Sequence, residues 1–157
     1  MADLLALFTW AAKLLREAAD EAMSHHGVRV GQHIVLSVLW EDDGLTPGEI
    51  ARRLQVATPT IVNTATRMEE AGLLVRKPDP ADARLVRLYL TPRGRSVRAP
   101  VLGARAALEQ HATATLTPAE RDHLRAALTK IIAQLQDEPL SVPRHAQRGK
   151  PERAQEP

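Results

Sequence analysis

Between positions 58 and 64 the chain carries Thr58, Thr60, Asn63 and Thr64, interleaved with Ile61, Val62, Ala65 and Met68, which read as core. A threonine hydroxyl can meet an acceptor on a base edge, its methyl can meet a thymine methyl, and an asparagine carboxamide can pair both ways with adenine. Capping and helix solubility are the alternative use of these side chains, and Thr58 reads first as an N-cap. A second group follows: Arg76, Lys77, Arg84 and Arg87 surround a loop that carries Asp79 and Asp82. Arg76, Lys77 and Arg87 have the chemistry of phosphate contacts, which position a protein on a duplex without reading its sequence. An arginine at a hairpin tip, here Arg84, can enter a narrow, electronegative minor groove. Asp82 is repelled by phosphate, and its expected role is to accept hydrogen bonds from Arg84 or Arg76. Arg67 has two uses open to it, a phosphate contact or a pair with Glu70 or a wing acid. A solvated basic hairpin is the alternative for the whole group.

Charge supports a polyanionic partner for this region. The 157 residues sum to only +2, but residues 45–95 hold nine basic and five acidic side chains, whereas residues 1–44 hold three basic and seven acidic. Aromatic residues are 3% of the chain, so the core must come from Leu, Val, Ile and Ala, a composition that favours helices. With no cysteine, disulfides, thiolate catalysis and Cys-ligated metals are excluded. The apolar stretch 4–12 has Asp3 in place of a basic flank and is followed in helical phase by Lys13, Arg16 and Glu17, which argues against a signal segment. No run approaches the length of a membrane helix, so a cytoplasmic protein is expected.

The elements that must position these side chains are legible from four Thr-Pro pairs, at 46, 58, 91 and 117. Threonine can cap a helix, and proline fits its first turn. Glu49 and Glu120 each stand three residues after such a threonine and complete capping boxes. The spacing predicts helices over 3–24, 32–41, 47–54, 59–71, 93–113 and 118–137, with Gly27, Gly44 and Gly72 as terminators and Pro100 as a kink in the fifth. After Gly72 the period becomes alternating, which predicts strands over 73–77 and 84–91 joined by a long tip. The fold class is therefore mainly α with a small β-hairpin: a helix-turn-helix followed by a wing. Four segments follow: 1–44 as N-terminal dimerisation and support helices, 45–94 as the winged lobe, 95–137 as C-terminal dimerisation helices, and 138–157 as a polar, proline-containing disordered tail.

The run LTPGEIARRLQVATPTIVNTATRMEEAGLLVRKPDPADARLVRLYLTPRG, residues 45–94, resembles the multiple-antibiotic-resistance regulator (MarR) family. Its most diagnostic parts are Gly72-Leu73-Leu74-Val75-Arg76, Asp82-Ala83-Arg84 and Leu90-Thr91-Pro92-Arg93-Gly94. The resemblance extends over roughly 3–137. It implies a homodimeric winged-helix transcription factor on double-stranded DNA, usually a repressor that a small molecule releases, and it assigns Arg84 and Asp82 the roles given above. Ala83 departs from the pattern, since the family often has a second arginine there.

Excess apolar surface points to self-association. Leu4, Phe8, Leu15, Leu124, Leu128, Ile131 and Leu135 are the expected dimer interface, with a self-contained bundle core as the alternative use. A two-fold dimer would set its recognition helices roughly 34 Å apart and so call for a near-palindromic operator. Trp10, Arg16, His33 and Trp40 are candidates for an effector pocket. His111 has neither a histidine nor an acid at the i, i+3 or i, i+4 spacing of a helical metal site, His123 lies beyond a helix break, and isolated histidines such as His25, His26 and His33 are more often surface or cap residues, so no metal and no cofactor is expected. With no Gly-rich phosphate loop and no nucleophile motif, the chain reads as a non-enzyme. The rival readings are a constitutive or metal-responsive regulator and a winged helix used as a protein-interaction module.

Overall fold

Asp3 opens the first helix: its carboxylate accepts the Ala6 N–H at 2.7 Å, and α1 runs Leu4–Ser24. The computed structural model describes residues 3–137, so the tail expectation for 138–157 lies outside the described residues. α2 spans Val30–Glu41, two residues earlier than its sequence pattern predicts. The extra turn is held from α1, where Asp20 accepts the Val30 N–H at 3.2 Å, while the Gln32 side chain accepts the Arg29 N–H at 3.0 Å. α3, Pro47–Leu54, carries the expected capping box: Glu49 accepts the Thr46 N–H at 2.7 Å and Thr46 Oγ1 accepts the Glu49 N–H at 3.2 Å.

α4 covers Thr58–Glu70, with Ala57 as its N-cap. Thr58 is thus the first helical residue rather than the cap, because Ala57 already supplies the carbonyl that the Thr60 N–H reaches at 3.0 Å. Gly72, at φ +69°, turns the chain out of α4. The Leu73 N–H still bonds Met68 O, which delays β1 to Leu74–Pro78. β2 is Val86–Leu90, antiparallel to β1, with Leu74 opposite Leu90 and Lys77 opposite Arg87. It starts two residues later than expected because Leu85 closes a turn with its N–H on Asp82 O. A bridge between Leu45 and Leu88 fastens the segment before α3 to the hairpin.

The predicted fifth helix is two. α5 is Pro92–Ser96 and α6 is Arg98–Ala112, with Val97 between them. Pro100 has no N–H to offer Ser96 O, and its ring would crowd that carbonyl. The chain therefore restarts, placing the proline in the first turn of α6, where it is tolerated.

Two compact units result, one ending at Ala114 and the other beginning at Thr115. The core of the first is aliphatic: Val28, Val35, Leu36, Leu39, Ile50, Ile61, Leu73, Leu74, Leu88 and Val101, with Met23 and Met68. In the second, α7 spans Pro118–Asp137 and none of its residues is buried.

Candidate nucleic-acid interface

Burial of Ile61, Ala65 and Met68 fixes which way α4 faces. At about 100° per residue, Asn63 lies opposite that stripe, flanked by exposed Pro59, Thr60, Val62, Thr66 and Arg67. Thr58 is exposed as well. Thr64 turns toward the core side, half-buried, and its hydroxyl donates to Thr60 O at 2.9 Å. Val62 is 42% exposed and not core as its apolar character suggested; it sits on the flank of the stripe. Val62 and Thr66 are additions to the exposed face that the helical phase of Ile61, Ala65 and Met68 would have revealed.

The wing displays Arg84 and Asp82 together. The Arg84 side chain is 92% exposed, and Asp82 Oδ1 accepts its Nε at 3.2 Å and its backbone N–H at 3.0 Å. Lys77 is exposed, with its ammonium 5.3 Å from the Tyr89 ring centre. Arg67 is exposed and makes no ion pair among the described residues.

Arg76 and Arg87, both expected at phosphates, point into the protein. Arg76 Nη1 pairs with Glu69 at 2.5 Å, and Nη2 donates to Thr66 Oγ1 at 2.9 Å and Val62 O at 3.3 Å. The strand is thereby tied to the middle of α4. Arg87 Nε donates to Asp79, and Nη1 donates to Gly44 O at 2.8 Å and lies 3.6 Å from Glu49. The Arg87 guanidinium, with the N–H groups of Ala81 and Asp82, holds the Asp79 carboxyl below the usual carboxylate range, and Asp79 in turn raises Arg87. Arg53 pairs with Asp42 at 2.5 Å, whereas Arg52 is exposed.

The four pocket candidates have different surroundings. Arg16 lines a cleft of about 510 Å³ with Glu17, Asp20, Arg29, Val30 and Ile34. Trp10 is 62% exposed, with the Lys13 ammonium 5.5 Å from its ring. His33 is half-buried with Nδ1 2.7 Å from Val30 O, and burial pushes its pKa down, with Arg105 adding to the effect. Trp40 donates its indole N–H to Gly94 O at 2.8 Å, so its polar atom is engaged in packing the start of α5. Among the described residues no three His, Cys, Asp or Glu side chains gather as a metal set. Of the interface candidates, Leu4 is 67%, Leu15 46%, Leu124 42%, Leu128 39%, Ile131 36% and Leu135 56% exposed, and Phe8 is half-exposed.

A helix-turn-helix whose second helix offers a polar face, followed by a hairpin with an outward arginine at its tip, defines a winged-helix DNA-binding transcriptional regulator. The chain belongs to the MarR family. The family's sequence profile matches residues 26–85. A transcriptional regulatory protein for the hcr operon of Thauera aromatica is 31% identical over 127 residues, which cover 81% of this chain and 76% of that protein. The regulator TtmR of Methylorubrum extorquens is 35% identical over 88 residues, 56% of this chain but 45% of TtmR, so the chain spans under half the length of that relative. Among solved structures, the Staphylococcus aureus MepR–DNA complex aligns with a TM-score of 0.77 at 26% identity, covering 86% of this chain and all of that one. A crystal structure of MarR aligns at 0.73 with 23% identity over 87% of this chain and all of that one, a likeness of fold.

Proposed function

We propose that this regulator acts as a homodimer on near-palindromic double-stranded DNA, as a repressor, with α4 in the major groove and the wing in the adjacent minor groove. The observation that carries the reading is Arg84: a side chain almost fully exposed, whose guanidinium Nε and backbone N–H both donate to Asp82, on the same lobe as the outward face of α4. Base edges fall to Asn63, Thr60 and Thr58, with Thr64 at the flank. Lys77 and Arg67 take phosphates, and Arg76 and Arg87 orient the wing from within. The exposed leucines of α1 and α7 supply the dimer contact, since a chain of this size leaves few such side chains to water without a partner. Release by a small-molecule effector belongs to the same reading, and the cleft lined by Arg16, Arg29 and Ile34 is the first place to test it. The protein works in the cytoplasm and has no catalytic role, Asp79 and Asp82 each being committed to an arginine. Among the described residues no helix is long and apolar enough to cross a membrane.

Fluorescence anisotropy on the DNA upstream of its own gene, at two salt concentrations, tests this. Arg84→Ala should weaken selective binding by about tenfold, and Lys77→Ala should reduce the salt slope by about one. Equal, weak binding to every duplex, insensitive to Arg84, would point instead to a protein-interaction module.

A further inference from the structure

Asp79 is one of two buried polar side chains among the described residues, the other being Gln32, and a loop tip is an unusual place for a buried carboxylate. Its Oδ1 accepts the N–H groups of Ala81 at 2.7 Å and Asp82 at 3.0 Å, and its Oδ2 takes the Arg87 Nε–H. Arg87 reaches onward from β2 to Gly44 O, and it faces Glu49, which is itself fixed by the Thr46 N–H. A continuous set of polar contacts therefore runs from the N-terminus of α3, through β2, to the backbone of Asp82. The next contact outward is the grip of Asp82 on Arg84.

We infer that Asp79 and Arg87 are positioning residues for DNA binding, which set the wing arginine against the frame of the helix-turn-helix. The inference rests on the proposed wing contact. Among the described residues, Arg84 is held by Asp82 alone, through its Nε and its backbone N–H. Asp82 keeps its place because Asp79 accepts its N–H. Without the inner pair, the tip and its long side chain would have to be ordered at the moment of binding, which lowers affinity with no contact to DNA removed. A plain apolar staple could close the hairpin but could not accept two loop N–H groups, and that explains a carboxylate at this position. The depressed pKa of Asp79 keeps it charged through neutral and mildly acidic conditions.

A double-mutant cycle separates positioning from general support of the fold. Asp79→Asn and Arg87→Met are titrated against the same duplex with Arg84 present and in the Arg84→Ala background, with thermal unfolding measured for each variant. With Arg84 present, each substitution should weaken binding about tenfold; in the Arg84→Ala background the further loss should fall below about twofold, since groups acting through one another are not additive. Arg87→Lys, which keeps the charge but loses the fork, should give an intermediate loss and serves if the other variants do not fold. Trypsin cleavage after Arg84 in the free protein provides a readout without DNA, and it should quicken severalfold in Asp79→Asn. Equal losses in both backgrounds, or unchanged affinity and cleavage, would overturn the inference. If the wild type selects no duplex at all, the proposed function fails instead, and the cleavage rate alone then decides whether Asp79 orders the tip.

Discussion

Gly94 accounts for the last residue of the Leu-Thr-Pro-Arg-Gly run. A Cβ at that position would stand 2.0 Å from Leu73 O, a backbone atom that cannot yield, while the Gly94 carbonyl receives the Trp40 indole. Gly94→Ala should therefore cost about 3 kcal/mol or more in urea unfolding, and Trp40→Phe about 1 kcal/mol for the lost hydrogen bond. Val62 makes a different kind of prediction. As an exposed branched side chain on the outward flank of α4 it suits a thymine methyl, so Val62→Ala should lose roughly 1 kcal/mol of operator binding. The loss should vanish when the thymines of the operator are replaced by deoxyuridine; a loss that persists would assign Val62 to the fold. At this scale the sequence was readable wherever a residue type has one use, as with Asp82 beside Arg84. It was ambiguous for Arg76 and Arg87, because an arginine that binds phosphate and one that pairs internally look alike until Glu69 and Asp79 are seen beside them.

The tight turn between α3 and α4 is closed by Gln55 at φ +54°, a left-handed conformation that glycine adopts without strain. Gln55 is exposed, so Gln55→Gly should raise stability by about 0.5–1 kcal/mol with DNA binding unchanged, measurable by chemical denaturation. Helix starts were legible because Thr-Pro and the capping boxes at Thr46 and Thr117 are local chemistry. Element ends and breaks were less so, for reasons that lie elsewhere in the chain. α2 gains its first turn from Asp20 on α1, and the single long helix expected over 93–113 divides at Val97 because Pro100 cannot continue it. β2 starts two residues later at the tip than expected because Asp79 and Asp82 organise a turn there through main-chain contacts that alternation does not encode.

For the whole molecule, stability should fall in two stages on acidification. Burial depresses the pKa of His33, so the unfolded chain takes up its proton first and stability declines as pH drops below about 6.5. His33→Gln should flatten that stage. Asp79 and Glu49 are both depressed by hydrogen bonds; their contribution is complete above the ordinary carboxylate pKa of about 4 and is lost as pH falls through their lower folded values. Exposure of Leu124, Leu128, Ile131 and Leu135 gives a second prediction at this scale, that Leu128→Asp converts a dimer to a monomer in sedimentation and lowers operator affinity.

The most direct test of the account is selection of bound duplexes from a random pool by the wild-type chain, followed by hydroxyl-radical footprinting of the enriched site. We expect a near-palindrome whose half-sites are protected about one helical turn apart, with an A·T-rich minor groove flanking each. A pool that emerges without enrichment, or a footprint confined to one unrepeated half-site, would contradict it.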